Sequence, residues 1–235
     1  MPGRGIPRFL VTVVLSLAAV TAQAQAGAPR IGDIVDTFNG VPVYYNGAIG
    51  HVSGVNRAAD GYVFGLRYQC VEFIKRYYYQ RFGHRMPKPG GNARDYFDPD
   101  VADGALNPAR GLLQYRNGST QAPQLDDILL FGPWPGNPYG HLAIVTDVEA
   151  TSIEIIQQNP GPNGHSRRRF PLVVGDKGVR VDQRRVVGWL HLPGRPAQAI
   201  PKPQLPTTPV APEPALPSPL ESVLAPVAIP SANPP

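Results

Sequence analysis

The chain has 235 residues, of which 42% are hydrophobic and 17% are charged, and this composition supports one buried core and excludes a wholly disordered protein. The net charge of +5 favours anionic surroundings. The densest basic patch, Arg167 to Arg169, is too short to indicate nucleic-acid binding. We interpret this patch as a solvated loop or strand edge and expect no nucleic-acid partner.

The N-terminus has the pattern of a secretory signal peptide. Arg4 and Arg8 precede an apolar run from Phe9 to Val20, and small residues around Ala24 offer cleavage sites. The run is shorter than the roughly 20 residues that cross a bilayer, although an uncleaved anchor is the alternative. We predict a signal peptide over residues 1–24 and a secreted or periplasmic mature protein without an integral membrane span.

The first element that the sequence predicts with regular periodicity is a helix. Residues 28–64 are mixed and Gly-rich, with short β-prone runs such as Val41 to Tyr45, and we expect loops and short elements there. The helix then runs from about Cys70 to Phe82, and Gly83 supplies a stop signal. Its apolar residues recur with the spacing of one helical face: Val71, Ile74, Tyr78 and Phe82.

Cys70 is the single cysteine of the chain. In an exported protein it has no intramolecular disulfide partner, which predicts a free reactive thiol or an intermolecular bridge. In the first turn of a helix, the dipole and the unpaired backbone N–H groups lower the pKa of a thiol. The alternative is a buried cysteine that packs as a small hydrophobic residue.

Strands dominate the second half of the chain. Asn92 caps a short predicted helix through Phe97, and residues 98–122 are predicted as loop or short helical turns. Strands are predicted at 127–131, 141–148, 152–158, 169–174 and 186–191, and a short link joins the second and third as an antiparallel hairpin. The predicted fold class is α+β, with N-terminal helices packed on an antiparallel β-sheet.

The last segment, residues 194–235, is rich in proline with Ala, Ser, Thr and Val between the prolines. Such a composition cannot bury a core, so we predict a disordered, extended tail, which is either a passive spacer or a wall-threading or partner-binding segment. Residues 28–193 remain as the single predicted folded domain.

A thiol nucleophile needs a base that deprotonates it and then protonates the leaving amine, and histidine suits both tasks. His141 opens a predicted strand directly after a Gly-rich loop, whereas the other four histidines are predicted to be surface or structural. The hairpin partner of that strand ends in Gln157-Gln158-Asn159. Period-two alternation places Gln157 and Asn159 on one face, where either can orient the imidazole, and Gln158 on the other.

Together these pieces resemble the cysteine, histidine-dependent amidohydrolase/peptidase (CHAP) domains. The matching segments are residues 68–73 with Arg76, 140–145, 157–159 and Gly188-Trp189, and they are most similar to the amidase part of bifunctional glutathionylspermidine synthetase/amidase. The resemblance covers residues 40–192. It implies a papain-like fold in which Cys70 is the nucleophile and His141 the general base and acid.

The family pattern differs from this chain at one position. Relatives have Glu-x-Asn on the third strand, where this chain has Gln157-Gln158-Asn159, so a neutral amide replaces the carboxylate. An amide oxygen can accept from Nδ1–H of His141 but stabilises imidazolium less well. Three interpretations stay open: Asn159 orients the ring, Gln157 orients it, or the enzyme is weakened.

The remaining site predictions concern the oxyanion and metals. By the same resemblance, the backbone N–H of Cys70 forms the oxyanion hole, with Gln69 as a candidate second donor. Some relatives bind calcium through an Asp cluster before the cysteine, but here that region offers only Asp60. One cysteine and scattered histidines do not favour zinc. We expect no cofactor and no metal.

The leading functional hypothesis is an exported cysteine amidohydrolase or peptidase that hydrolyses amide bonds of peptidoglycan. One alternative is an amidase of small amide or polyamine conjugates, which the resemblance suggests. Another is a catalytically inactive wall-binding module, which the missing carboxylate and the proline-rich tail suggest.

Overall fold

The fold is known from a computed structural model that describes residues 28–195. The predicted signal peptide and nearly all of the predicted tail lie outside the described residues. The elements in chain order are β1 (Ile34–Phe38), β2 (Val41–Tyr44), β3 (Val55–Arg57), β4 (Val63–Leu66), α1 (Cys70–Phe82), a 3₁₀ helix (Ala93–Tyr96), β5 (Leu106–Asn107), β6 (Leu112–Arg116), β7 (Ile128–Phe131), β8 (His141–Val148), β9 (Ser152–Ile156), β10 (Arg167–Gly175), β11 (Gly178–Val181) and β12 (Val186–His191).

An eight-stranded antiparallel sheet forms the centre of the fold, in the order β11-β10-β9-β8-β7-β12-β6-β5. The pairs β1–β2 and β3–β4 form two small hairpins beside it. The predicted β-sheet and its β8–β9 hairpin are therefore confirmed. The expectation of several N-terminal helices was wrong, because the described residues contain one α-helix and four short strands precede it.

Helix α1 has the bounds that its periodicity predicts. It ends where Gly83 adopts a left-handed conformation with φ of 65° and donates its N–H to the carbonyl of Tyr79 at 2.9 Å. Glycine suits this position because other residues are strained at positive φ. The apolar side chains Phe73 and Ile74 of α1 share one buried cluster with Leu142 and Ile144 of β8. The helix therefore packs against the central strand that begins at His141.

The central strand β8 is buried on both of its faces. Leu142 and Ile144 belong to the cluster around α1, whereas Ala143 and Val145 belong to a second cluster that includes Trp189. Because alternate residues of a strand point to opposite faces, two separate apolar layers hold β8 in place. The first residue of β8 therefore has a fixed position at the end of this central strand, next to the start of α1.

Candidate active site

Cys70 and His141 line the same cleft, which has a volume of about 530 Å³. Cys70 is the first residue of α1, and the residue is buried, with 7% of its surface exposed. The preceding residue, Gln69, has extended backbone with ψ of 159°, so the chain turns into the helix at the cysteine. The N–H groups of the first turn have no acceptor within a helix, so the N–H of Cys70 can face a ligand.

Burial, rather than the helix start, dominates the acidity of the Cys70 thiol. Desolvation raises the pKa of Cys70 to about 11, while the backbone N–H groups of Leu142, Val71 and Cys70 itself act in the opposite direction. The N-terminal position thus acts in the direction that the sequence predicts, but the desolvation effect is larger. The Cys70 thiol is therefore protonated near neutral pH.

Gly140 fixes where His141 enters the sheet. Its φ of 76° is left-handed, and a Cβ at this position would lie 2.7 Å from the carbonyl oxygen of Phe131 and 3.1 Å from the backbone nitrogen of Arg94. Only glycine fits between these backbone groups. The turn before β8 therefore brings the chain close to the 3₁₀ helix and places His141 at the rim of the cleft.

The side-chain amide of Gln157 is hydrogen-bonded to the imidazole of His141. Nε2 of His141 lies 2.9 Å from Oε1 of Gln157, and Nε2 of Gln157 donates to the carbonyl of His165 at 2.9 Å. Since the amide nitrogen is used by that carbonyl, its oxygen must face the ring and accept from Nε2–H. Nδ1 of His141 is left as the basic nitrogen. The sequence assigned the orienting bond to Nδ1, and the structure corrects this to Nε2.

Burial lowers the pKa of His141 to about 4, and the hydrogen bond that the ring donates to Gln157 only partly offsets this effect. A neutral amide does not favour imidazolium as a carboxylate does. Within residues 28–195, the thiol of Cys70 and the ring form no hydrogen bond with each other, although both line one cleft. Catalytic hydrogen bonds are often long before substrate binds.

The hydrogen bonds of Asn159 go to groups other than the imidazole. Its Nδ2 donates to the carbonyl of Ile49 at 2.9 Å and to Oε1 of Gln69 at 2.8 Å. The side chain of Gln69 in turn donates to the carbonyls of Ile49 and His51, at 3.1 Å and 2.6 Å. Both amide hydrogens of Gln69 are thus used, which leaves none for an oxyanion. The geometry favours Gln157 as the orienter and the Cys70 N–H as the oxyanion donor.

Gln158 has a position that the sequence did not indicate. It is fully buried on the side of α1, where Nε2 donates to the carbonyl of Gln69 at 3.0 Å and to Oε2 of Glu72 at 2.7 Å. Glu72 also pairs with Arg76 at 2.6 Å inside the protein. This network joins the end of β9 to the first turn of α1. The i,i+4 spacing of Glu72 and Arg76 was the available sequence signal.

Two other properties of the described residues bear on the site. Residues 28–195 contain no group of three or more His, Cys, Asp or Glu side chains that could hold a metal ion. In the same range, no helix has the length and apolar character that crossing a membrane requires.

The fold and the site define a cysteine–histidine pair in which the cysteine begins a helix and the histidine begins a central strand of an antiparallel sheet. Residues 61–159 match the family model of the CHAP domain, the family that the motifs predicted. The match includes Cys70, His141, Gln157 and Asn159.

Two curated relatives are similar to the same part of the chain. Glutathionylspermidine synthase of Crithidia fasciculata is 29% identical over 146 residues, which are 53% of this chain and 20% of that protein. Bifunctional glutathionylspermidine synthetase/amidase of Escherichia coli (strain K12) is 25% identical over 161 residues, which are 62% of this chain and 25% of that protein. The chain thus spans a quarter or less of these relatives.

Solved structures also resemble the chain at low overall similarity. The endolysin LysIME-EF1 is 21% identical with a TM-score of 0.35, and the match covers 62% of this chain and 59% of that one. Ly7917 is 20% identical with a TM-score of 0.33, over 59% of this chain and 56% of that one.

Proposed function

We propose that this protein is an exported cysteine amidohydrolase or peptidase that hydrolyses amide bonds of peptidoglycan. One observation carries the proposal: Cys70 and His141 line one cleft in the part of the chain that matches the CHAP family model, and Nε2 of His141 is hydrogen-bonded to Oε1 of Gln157. The papain-like layout and the export in this proposal come from the sequence. The proposed location is the periplasm or the cell exterior, where the wall is accessible.

In the proposed reaction, Nδ1 of His141 takes the thiol proton as Sγ of Cys70 attacks the amide carbonyl carbon. The backbone N–H of Cys70 stabilises the oxyanion. His141 then gives its proton to the departing amine, and the C–N bond breaks to leave a thioester. Water, deprotonated by His141, hydrolyses the thioester and releases the acid and the thiol.

The two pKa values set a condition on this mechanism. With the pKa of Cys70 raised to about 11 and that of His141 lowered to about 4, the resting pair is uncharged between these values. Transfer of the proton in the free enzyme is uphill, so it must accompany nucleophilic attack or follow substrate binding. We therefore expect slow labelling of the free thiol near neutral pH, with a rate that rises at alkaline pH.

A second candidate is an amidase of small polyamine conjugates, favoured by the similarity to glutathionylspermidine synthase and to glutathionylspermidine synthetase/amidase. The inactive wall-binding module remains the third possibility that an experiment must address. These functions differ in substrate and in dependence on Cys70, so one set of incubations separates them.

The test is to incubate the mature protein and its Cys70→Ala variant with purified peptidoglycan and, separately, with glutathionylspermidine. Mass spectrometry identifies the released fragments. Cys70-dependent fragments from peptidoglycan alone support the proposal and identify the bond. Cleavage of glutathionylspermidine alone supports the second candidate. If neither substrate is cleaved and iodoacetamide does not label Cys70 even at alkaline pH, the enzyme hypothesis is wrong.

A further inference from the structure

The three consecutive arginines of β10 have different surroundings. Arg167 pairs with Asp36 and Glu154, each at 3.0 Å, and Arg169 pairs with Asp147 at 3.0 Å. Arg168 points to the other face of the strand, as the alternation of side chains requires. Within residues 28–195 it forms no ion pair with a carboxylate. In this basic patch, Arg167 and Arg169 are therefore neutralised by carboxylates, whereas Arg168 is not.

Arg168 lines a second pocket, of about 160 Å³, which also contains His141 and Gln157 but not Cys70. Arg185 lines the same pocket, and it too has no carboxylate partner among the described residues. Aromatic rings hold the two guanidinium groups: Arg185 lies 4.4 Å from the ring centroid of Trp134, and Arg168 lies 5.1 Å from that of Phe170.

The cleft beside Cys70 has a different character. Its lining residues carry no Asp, Glu, Lys or Arg, and they include apolar side chains such as Val52, Val55, Val63 and Leu66. The positive charge therefore lies in the second pocket, on the side of His141, and not in the cleft beside Cys70. Two guanidinium groups held by aromatic rings form a site suited to a planar anion such as a carboxylate.

The chemistry of the reaction assigns this pocket to one half of the substrate. His141 must protonate the departing amine, so the amine-bearing half lies on the imidazole side. We propose that Arg168 and Arg185 bind a carboxylate of the leaving amine, which makes the substrate an amide of an acidic amine component such as an amino acid or peptide. This inference rests on the proposed hydrolase function. A polyamine leaving group would place positive charge against both arginines.

The kinetic test compares peptidoglycan with free carboxylates and the same material after its carboxylates have been converted to primary amides. We expect the wild-type protein to cleave the amidated substrate at least about tenfold more slowly, since charge-assisted hydrogen bonds are lost. The Arg168→Gln/Arg185→Gln variant should cleave both substrates at the same low rate. Arg184→Gln, which removes an exposed charge outside the pocket, should retain the wild-type preference.

A binding test separates this inference from the proposed function. Of the two tryptophans, Trp189 is fully buried and Trp134 lines the pocket, so a change in fluorescence reports on Trp134. Cys70→Ala protein is titrated with alanyl-alanine and with alanyl-alaninamide. We expect saturable binding of the carboxylate peptide alone, and its loss in the variant that also lacks both arginines.

The outcomes have distinct meanings. Equal cleavage of both substrates by the wild-type protein, or a preference that survives loss of both arginines, overturns the carboxylate site. If no substrate is cleaved but alanyl-alanine binds in an arginine-dependent way, the hydrolase proposal fails while the anion site stands. If neither peptide binds and no substrate is cleaved, both are wrong.

Discussion

Two buried histidines of this protein each have one hydrogen-bonded side-chain partner, and the partners differ in charge. His141 bonds through Nε2 to the neutral amide of Gln157 at 2.9 Å, and it lines the cleft with Cys70. His191, at the end of β12, bonds through Nδ1 to the carboxylate of Asp127 at 2.7 Å and lies outside that cleft. The carboxylate–histidine pair, which is the familiar catalytic combination, is here the one remote from the thiol.

The pKa values of the two rings move in opposite directions. Burial lowers the pKa of His141 to about 4, whereas the hydrogen bond to Asp127 raises the pKa of His191. Burial also raises the pKa of Asp127 to about 6. A carboxylate therefore holds a proton on its histidine, while an amide fixes the orientation of a ring that stays neutral. The amide therefore leaves His141 neutral but weakly basic, whereas a carboxylate partner would make the ring a stronger base.

The largest loss of activity that the comparison predicts follows from removal of the Gln157 amide. Gln157→Leu leaves Nε2–H of His141 without its partner, and a misplaced base should lower turnover of peptidoglycan about a hundredfold. The measurement is the initial rate of fragment release. Gln114→Leu, which removes a buried amide outside the cleft, is the matched control and should retain activity. Equal losses in both variants would mean that Gln157 acts only through the fold.

The next prediction concerns a substitution that gives His141 a carboxylate partner, as His191 has in Asp127. Gln157→Glu places a carboxylate on His141, which should raise the pKa of the ring and favour the thiolate of Cys70. The midpoint of the pH profile for iodoacetamide labelling should fall by about one unit or more. Gln121→Glu, away from the cleft, should leave the profile unchanged. An unshifted midpoint in the Gln157→Glu protein would contradict the idea that charge at this position controls the site.

A smaller effect on activity is expected for Gln158, because its amide bonds to the start of α1 and not to the ring of His141. Gln158→Leu breaks the bonds to the Gln69 carbonyl and to Glu72, so the start of α1 should shift and turnover should fall about tenfold. The buried polar groups that lose their hydrogen bonds in this variant should lower the free energy of unfolding by about 1–3 kcal/mol.

Denaturation and kinetics on the same samples separate the two roles of Gln158. Gln114→Leu should lose similar stability without losing activity, because its amide bonds lie away from the cleft. If turnover and stability fall in parallel in both variants, Gln158 has no positioning role.

The smallest effect on catalysis is expected at the second histidine. His191→Gln should leave turnover unchanged but lower the free energy of unfolding by about 1–3 kcal/mol. Because the folded pKa of His191 is raised, its contribution is fully present below the ordinary histidine value and is lost as pH rises through the raised one. The stability difference from wild type, measured by denaturant unfolding, should therefore be larger at mildly acidic than at alkaline pH. A loss of activity at full stability would refute the structural assignment.

Local sequence determined the elements that carry the reacting groups. The 3.6-residue period from Val71 to Phe82 predicted α1 with its observed bounds, and the apolar run after Gly140 predicted β8. These patterns sufficed because each depends on neighbours within a few residues along the chain. Beyond the β-prone run from Val41 to Tyr45, which corresponds to β2, the pairing of strands β1 to β4 was not predicted, since a short, Gly-rich strand has little periodicity and forms only when its partner is present.

The partner of His141 was decided by tertiary structure. Continuing the register from the Ile144–Ile156 pair would place Asn159 opposite His141, yet the ladder ends at that pair and the chain turns away. Gln157 then reaches the ring from a diagonal position, while the amide of Asn159 bonds to Gln69. Alternation alone places both amides on one face, so it could not choose between them.

Charge at the site was likewise beyond the reach of local pattern. The sequence gives three adjacent arginines, but Arg167 is neutralised by Asp36, which lies 131 residues away, and Arg168 is not neutralised. Burial also set the pKa of Cys70, because desolvation depends on packing from β8 and overrides the helix start. The sequence thus determined which groups can react, and only the folded chain decided their partners, their protonation and the charge of the pockets around them.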